Sequence, residues 1–217
     1  MNPNVVAVDG PGGSGKSTVS RRVAERLGWR HLDTGAFYRA ATVVVLEAGA
    51  DPGDPGAVMA AVAGRRFEQQ GGVMTIDGLD VSGAIRSQDV NAAVSAVSAH
   101  PDLRRMMVAA QRAWVAGLGS GAVVEGRDIG TVVFPDARVK IFLTADPAER
   151  ARRRAVEMEG PTEEVATDLQ LRDRLDSTRA VSPLKPAGDA VAIDTTGLGI
   201  EEVVDRVVQR ARAVYDP

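Results

Sequence analysis

The chain has 217 residues, with 26 lysines and arginines, 29 aspartates and glutamates, a formal net charge of −3 and no cysteine. This charge does not favour binding to nucleic acid or to an anionic membrane, and the lack of cysteine excludes disulfides and thiolate metal sites. No apolar run reaches the ~18 residues of a membrane span, and the first apolar run begins at Val5. We therefore expect a protein without a signal peptide, located in the cytoplasm.

Short apolar runs alternate with helical patterns along the chain. Strands are predicted at residues 5–8, 122–125, 139–143 and 190–193, and none has strict polar alternation. This is typical of strands that are buried on both faces of a parallel sheet. Helices are predicted at residues 18–27, 147–157, 162–175 and 200–215. The alternation predicts an α/β fold, in which ligands bind at the carboxyl ends of the strands.

Residues 65–87 interrupt this alternation. Asp77-Gly78 separates two short apolar runs, at residues 73–76 and 79–81, which is the local signature of a β-hairpin. We therefore expect a small antiparallel insert. Residues 49–56 contain two Asp-Pro pairs and are predicted to form a loop.

The segment from Gly10 to Ser17 matches the pattern G-x-x-x-x-G-K-[ST] and lies between a predicted strand and a predicted helix. Its glycines allow consecutive backbone N–H groups to face phosphate oxygens, and the helix directs its positive end to the same place. Lys16 adds a positive charge, and the Ser17 hydroxyl suits Mg²⁺ bound with phosphates. This P-loop predicts a nucleotide triphosphate site, but GTPases, ATPases and kinases share it. The ATP-binding candidates are Gly10, Pro11, Gly12, Gly13, Ser14, Gly15, Lys16, Ser17 and Thr18.

Arginines elsewhere in the chain suggest that a phosphoryl group is transferred between two anions, which requires such charges. They are Arg39, Arg104, Arg105, Arg127, Arg172 and Arg179. The i, i+4, i+7 spacing of Arg172, Asp176 and Arg179 predicts one shared helical face, although a solvated salt-bridged helix has the same pattern. Arg127-Asp128 follows a predicted strand and could read a base edge that carries an amine, or could be a structural ion pair.

Over nearly its whole length the chain resembles the bacterial cytidylate kinases, a family of nucleoside monophosphate kinases. The resemblance rests on the inserted hairpin and on DGPGGSGKST, LDTGAFYRA, SAVSAHPDLRRMMVAAQRAW, EGRDIGTVVFPDARVKIFL and RDRLDSTRAVSPL. It implies a three-layer P-loop kinase fold in one domain, residues 1–217, with a central parallel sheet. A monophosphate-binding region with the antiparallel β insert is expected at about residues 36–100, and a short helical lid at about 154–184. The implied reaction transfers the γ-phosphoryl group of ATP, with Mg²⁺, to CMP or dCMP.

The resemblance also implies roles for individual residues. The CMP-binding candidates are Thr34, Tyr38, Ser95, Arg104, Arg127, Asp128, Arg172, Asp176 and Arg179, with Ser95, Arg127 and Asp128 as the cytosine readers. The catalytic candidates are Lys16, Arg127, Arg172 and Arg179. Arg150 and the loop 195–197 are candidates for the adenine site, and Asp33 for a contact with Mg²⁺ through water. The family often has Asp where this chain has Glu125, a difference expected to be tolerated.

The acceptor phosphate is already an anion at neutral pH, so no general base is required, and His31 and His100 are expected to be structural. Two alternatives within the kinases are a UMP kinase and a small-metabolite kinase of the shikimate type, which needs no base-reading residues. A regulatory GTPase is a third alternative, but the sequence contains no Asn-Lys-x-Asp segment for guanine. The protein is expected to be a monomer without nucleic-acid or membrane partners.

Overall fold

The computed structural model describes residues 4–158 and 161–216. The chain divides into two compact units, one running up to His31 and from Leu118 onward, the other from Leu32 to Gly117. The strands are β1 (Val5–Asp9), β2 (Arg30–Asp33), β3 (Phe67–Gln70), β4 (Val73–Ile76), β5 (Leu79–Asp80), β6 (Ala122–Gly126), β7 (Val139–Thr144) and β8 (Val191–Asp194). The helices are α1 (Lys16–Leu27), α2 (Thr34–Glu47), α3 (Pro55–Val62), α4 (Gln88–Val97), α5 (Pro101–Ala116), α6 (Pro147–Met158), α7 (Thr162–Thr178) and α8 (Ile200–Tyr215).

The first unit is built on a five-stranded sheet in the order β2, β6, β1, β7, β8. Strand β1 pairs in parallel with β6 and β7, and β7 pairs in parallel with β8. The four predicted strands and the parallel sheet are confirmed. Edge strand β2 is not predicted, because it is short and largely polar and only Leu32 in it is fully buried.

Helices α1 and α8 pack together on this sheet. Helix α8 buries Val203, Val204, Val207 and Val208, whose spacing makes one apolar stripe. Full burial of a valine side chain contributes roughly 1.5–3 kcal/mol relative to exposure. The stripe meets Val6 and Val8 of β1 in the same core, and so fixes the strand that leads into the P-loop.

Helices α6 and α7 form a second apolar contact through Ala151, Ala155, Val165 and Leu169. Helix α7 ends at Thr178, and Arg179 has an extended backbone with φ −56° and ψ 135°. The expectation that Arg179 shares a helical face with Arg172 and Asp176 is therefore wrong. The cause is a reversal of the chain, because the Asp176 carbonyl accepts from the Leu184 N–H at 2.8 Å instead of from the next helical turn. Residues 159 and 160 of the expected lid lie outside the described residues.

The second unit contains the predicted hairpin. Strands β4 and β5 pair in antiparallel fashion, with Ile76 opposite Leu79. Asp77 and Gly78 at the turn have φ values of 53° and 84°, the backbone that Asp-Gly favours in two-residue hairpins. A further strand, β3, pairs with β4 and was not predicted, since its few residues give only a short alternation of buried and exposed positions.

Residues 49–54 form the predicted loop, and only residues 55 and 56 differ from the prediction, because they belong to helix α3. The helix begins at Pro55, and the Asp54 carboxylate caps it by accepting from the N–H groups of Gly56 and Ala57 at 2.8 and 3.2 Å. An Asp-Pro pair that indicates a turn also suits the start of a helix, where Pro lacks only an N–H that the helix does not use. His100 Nε2 lies 2.8 Å from the Pro52 carbonyl oxygen, a structural contact within this unit. Among the residues that the structure describes, no helix is long and apolar enough to cross a membrane.

Candidate active site

The P-loop joins β1 to α1, and two of its glycines are required by close contacts. A Cβ atom on Gly10 would lie 2.2 Å from the Leu143 carbonyl oxygen. Gly13 has φ 71°, and a Cβ atom there would lie 2.6 Å from the Arg150 carbonyl oxygen. Helix α1 begins at Lys16, and no side chain caps its first turn. Its first N–H groups are therefore placed to bind an anion, as the motif predicts.

Lys16 is the buried cation of this loop. Its Nζ donates to the Pro11 carbonyl oxygen at 2.6 Å and lies 3.4 Å from Ser14 Oγ. Burial, and then repulsion from Arg127, lower the pKa of Lys16 to about 7, although the carboxylates of Glu125 and Asp9 act in the opposite direction. A bound polyanion would offset both effects, so the electrostatics of the loop favour phosphate.

Glu125 lies beside the P-loop and was not predicted to have a role. This residue of β6 is 2 % exposed, and its Oε2 accepts from the Ser17 hydroxyl at 2.8 Å. Its Oε1 lies 2.8 Å from Nε2 of His31. Strand β6 is the sheet neighbour of β1, so a carboxylate near its end reaches the P-loop helix. That adjacency in the sheet is the signal that could have identified Glu125.

Ser17 and Glu125 together offer a hydroxyl and a carboxylate to a cation. Within residues 4–158 and 161–216, no group of three or more His, Cys, Asp or Glu side chains is arranged to hold a metal ion. Mg²⁺ usually takes few ligands from the protein and completes its octahedron with water and substrate phosphates. The pair therefore fits Mg²⁺ that arrives with a nucleotide.

A basic cluster near the end of α7 brings together four predicted residues. Arg127 Nε donates to Asp176 Oδ2 at 2.9 Å, and Arg179 lies 3.4 Å from Asp176 Oδ1. Burial and the proximity of Arg127 lower the pKa of Arg172, and the charge of Asp176 partly offsets this. Three guanidinium groups thus surround one buried carboxylate, an excess of positive charge that suits a phosphate ligand.

Arg150 connects α6 to the P-loop backbone. Its guanidinium donates to the Gly12 carbonyl oxygen at 3.0 Å and to Asp173 Oδ2 at 2.5 Å. Arg153 donates to Thr195, whose hydroxyl lies 3.3 Å from the Ser14 carbonyl oxygen. The loop that follows β8 therefore reaches the P-loop. The parts played by Arg153 and Asp173 were not predicted, because no spacing pattern links them to the motif.

Asp9 is another residue that the sequence does not single out. It ends β1, is 4 % exposed, and accepts from the backbone N–H groups of Ile129 and Gly130, both at 2.8 Å. The pKa of Asp9 is raised to about 6, mainly by burial. The two N–H donors act to lower this pKa, and the nearby Asp128 acts to raise it. The fold therefore holds an ionised carboxylate at neutral pH at an energetic cost.

This cost predicts a pH-dependent stability. Because the pKa of Asp9 is about 6 in the folded chain and 3.8 in the unfolded chain, the folded state binds the proton more tightly. The free energy of unfolding of the wild type, relative to Asp9→Asn, should fall as the pH rises from about 4 to about 6, by about 3 kcal/mol. Urea denaturation at several pH values measures this difference.

Asp136→Asn is the control at an exposed position, and its free energy of unfolding should vary with pH as that of the wild type does. If the difference in free energy between the wild type and Asp9→Asn were the same at every pH, the raised pKa of Asp9 would be contradicted.

The second unit holds the remaining acceptor-site candidates. Thr34 and Tyr38 lie one turn apart on α2, and the Arg104 guanidinium lies 5.0 Å from the centre of the Tyr38 ring. Arg104 also donates to the Ser98 carbonyl oxygen at 3.0 Å, close in the chain to the half-buried Ser95. Asp33 caps α2 by accepting from the Ala36 N–H at 3.2 Å. This unit therefore brings Tyr38 and Arg104 together, and the contact of Asp33 with Mg²⁺ remains a prediction.

Comparison with known proteins adds an independent result. The family model described as cytidylate kinase matches residues 6–213. A cytidylate kinase of Rhodococcus jostii is 52% identical over 213 residues, covering 94% of this chain and 93% of its own. The cytidylate kinase of Nocardia farcinica is 53% identical, with 94% of this chain and 92% of its own covered. That of Mycobacterium leprae is 50% identical, with 99% of this chain and 100% of its own covered. The crystal structure of an uncharacterized protein from Eubacterium ventriosum has a TM-score of 0.52 at 10% identity, covers 97% of this chain and 99% of its own, and shows likeness of fold alone. The chain belongs to the cytidylate kinase family.

Proposed function

We propose that this chain transfers the γ-phosphoryl group of ATP to CMP or dCMP, giving ADP and CDP or dCDP. The observation that carries the proposal is that Arg127 lies beside the P-loop of Lys16: its Nη2 is 3.8 Å from the Cβ position of Gly12, and its Nε donates to Asp176 on α7. Burial and then repulsion from Arg127 lower the pKa values of Lys16 and Arg172. Family membership over residues 6–213 supports the same reaction.

The P-loop serves the donor nucleotide in this proposal. The N–H groups of the loop and of the first turn of α1 bind the phosphates of ATP, and Lys16 exchanges its contact with the Pro11 carbonyl for the β- and γ-phosphates. Ser17 would be the protein ligand of Mg²⁺, with Glu125 orienting the Ser17 hydroxyl and the bound water. When bound, Mg²⁺ neutralises the phosphate charge that develops during transfer.

Each unit would contribute its own candidates for the acceptor nucleotide. Those of the second unit are Thr34, Tyr38, Ser95 and Arg104, and those of the first unit are Arg127, Asp128, Arg172, Asp176 and Arg179. Asp128 would accept from the exocyclic amine of cytosine, which uracil lacks. The arginines would hold the acceptor phosphate and offset repulsion between the two anions.

The chemistry then requires alignment more than proton transfer. An oxygen of the acceptor phosphate forms the new bond to the γ-phosphorus, and the bond from that phosphorus to the bridging oxygen of ADP breaks. The acceptor oxygen already carries a negative charge at neutral pH, so no side chain must remove a proton. Water otherwise competes as the acceptor, and closure of the lid at 154–184 would exclude it.

Acceptor preference tests this proposal directly. A coupled assay of ADP release should give the highest kcat/KM with CMP and dCMP when CMP, dCMP, UMP, AMP, GMP and shikimate are compared. A higher value with UMP or shikimate would replace the proposed substrate class by one of these two.

Asp128→Ala tests the cytosine reader. Loss of a hydrogen bond between a carboxylate and the substrate amine should lower kcat/KM for CMP about 10- to 100-fold, since such bonds contribute about 1.5–3 kcal/mol. The KM for ATP should change little. Asp136→Ala removes an exposed aspartate a few residues away and should behave as the wild type. Equal losses toward CMP and ATP would indicate that Asp128 has a structural role instead.

A further inference from the structure

Asp9 and the segment that reads the acceptor base are joined by a pair of hydrogen bonds. Asp9 stands at the end of β1, opposite Gly126 at the end of β6. Its two carboxylate oxygens accept separately from the N–H groups of Ile129 and Gly130. A carboxylate that accepts two backbone bonds, one on each oxygen, has a single orientation relative to that backbone.

The two N–H groups belong to the first residues of a π-helical turn, Ile129–Val133. In this turn the Asp128 carbonyl oxygen accepts from the N–H groups of Val132 and Val133 at 2.8 and 3.1 Å. Asp128 occupies the N-cap position, where aspartate commonly caps its own helix, but its side chain does not cap this one. The cap comes from Asp9, about 120 residues earlier in the chain. The Asp128 carboxylate is thus not used to start the turn.

Arg127 and Asp128 are therefore held from both sides. Gly126 is the last residue of β6 and is paired with β1, and on the other side the Ile129 N–H is held by Asp9. The two intervening residues are the proposed readers of the acceptor base. Any displacement of Asp9 would be transmitted to them across a single peptide unit on each side.

We propose that Asp9 is a positioning residue for acceptor recognition: by capping the turn in place of Asp128, it sets the directions of Arg127 and Asp128 for reading cytosine. This inference rests on the proposed function of Arg127 and Asp128. Asparagine at position 9 would fit the same space but has one accepting oxygen and one donating NH₂ group. One of the two N–H groups would then face another donor, which moves the turn.

The experiment compares Asp9→Asn with Asp54→Asn. Both replace a carboxylate that accepts two N–H groups at the start of a helical segment, but Asp54 caps the exposed end of α3. Asp9→Asn should raise the KM for CMP about 10- to 100-fold, reduce the preference for CMP over UMP and lower kcat by a smaller factor, because Arg127 moves with the turn. The KM for ATP should change less than about threefold. Asp54→Asn should match the wild type in all four quantities.

A measurement on the wild type keeps the test independent of the folding of the variant. The amide resonances of Ile129 and Gly130 should titrate together with Asp9, with a midpoint near pH 6, and hydrogen exchange at both amides should slow when CMP is added. Equal rises in the KM for ATP and for CMP would overturn the inference, because they would show that Asp9 acts through the adjacent Gly10 of the P-loop. The inference would also be overturned if Asp9→Asn left the CMP kinetics unchanged, or if CMP did not change the hydrogen-exchange rates of the Ile129 and Gly130 amides. A wild type that does not use CMP would instead contradict the proposed function.

Discussion

Replacing Lys16 with methionine is expected to lower kcat for phosphoryl transfer about 10³-fold, the largest effect we predict for a single substitution. In the proposed site, Lys16 is the P-loop cation that contacts the transferring phosphoryl group, and removing one such preorganised donor typically costs about 10²- to 10³-fold. Methionine keeps most of the length of the side chain and removes the charge. Single-turnover measurements of CDP formation at saturating ATP, Mg²⁺ and CMP would report the chemical step.

The same substitution should not unfold the protein. The ammonium group of Lys16 is buried and its pKa is lowered to about 7, which shows that the fold disfavours its charged form. We therefore expect the thermal midpoint of Lys16→Met to equal or exceed that of the wild type at neutral pH. Lys185→Met, at an exposed lysine, is the matched control and should leave both activity and midpoint unchanged. A drop in midpoint that parallels the loss of activity would mean that Lys16 is structural.

The fold was largely predictable because its main elements have strong local signals. Short, mainly apolar runs identified β1, β6, β7 and β8, and the Asp77-Gly78 turn identified the hairpin of β4 and β5. The missed strands β2 and β3 have the sequences Arg-His-Leu-Asp and Phe-Glu-Gln-Gln, so each contains a single apolar residue and no apolar run identifies it. The end of α7 was missed for a different reason. It depends on the contact between the Asp176 carbonyl and Leu184, which local spacing does not encode.

The candidate site was predictable where function constrains a contiguous motif. The P-loop and the Arg127-Asp128 pair are of this kind, and both lie at the carboxyl ends of strands in the structure. Asp9 and Glu125 begin the segments DGPGGSGKST and EGRDIGTVVFPDARVKIFL, and His31 lies outside both, but no residue pattern indicates the partners of these three side chains. They meet their partners across the sheet, as Glu125 meets Ser17 from a strand that lies 108 residues later. These contacts can be predicted only from the strand order β2, β6, β1, which follows from the complete fold.

Glu125→Gln is expected to have the second-largest effect on kcat, a loss of about 10- to 100-fold, together with a higher Mg²⁺ concentration for half-maximal activity. Groups that orient a metal ligand typically contribute effects of this size. The carboxylate accepts from the Ser17 hydroxyl, so the lone pairs of that oxygen are directed away from Glu125 and toward the phosphate side. Glutamine has a single accepting oxygen and no charge, so it cannot accept from both Ser17 and His31, and it removes the negative charge beside the cation. Titration of activity with Mg²⁺ at fixed ATP measures the shift. The control Glu202→Gln, which removes an exposed ion-pair partner on α8, should not alter it.

His31 should contribute to the same property through Glu125, although it was expected to be only structural. Its Nε2 lies 2.8 Å from Glu125 Oε1, so the imidazole can donate to one carboxylate oxygen while Ser17 occupies the other. His31→Leu should raise the Mg²⁺ requirement and lower kcat about tenfold, whereas His31→Gln, whose amide can donate at a similar distance, should recover most of the loss. His100→Gln alters the other histidine, in contact with Pro52, and serves as the control. If the leucine and glutamine variants lose activity equally, or if neither shifts the Mg²⁺ dependence, His31 only fills space. If glutamine restores the activity, the hydrogen bond that residue 31 donates holds Glu125 against Ser17. Strand β2 would then contribute to the Mg²⁺ dependence through this residue.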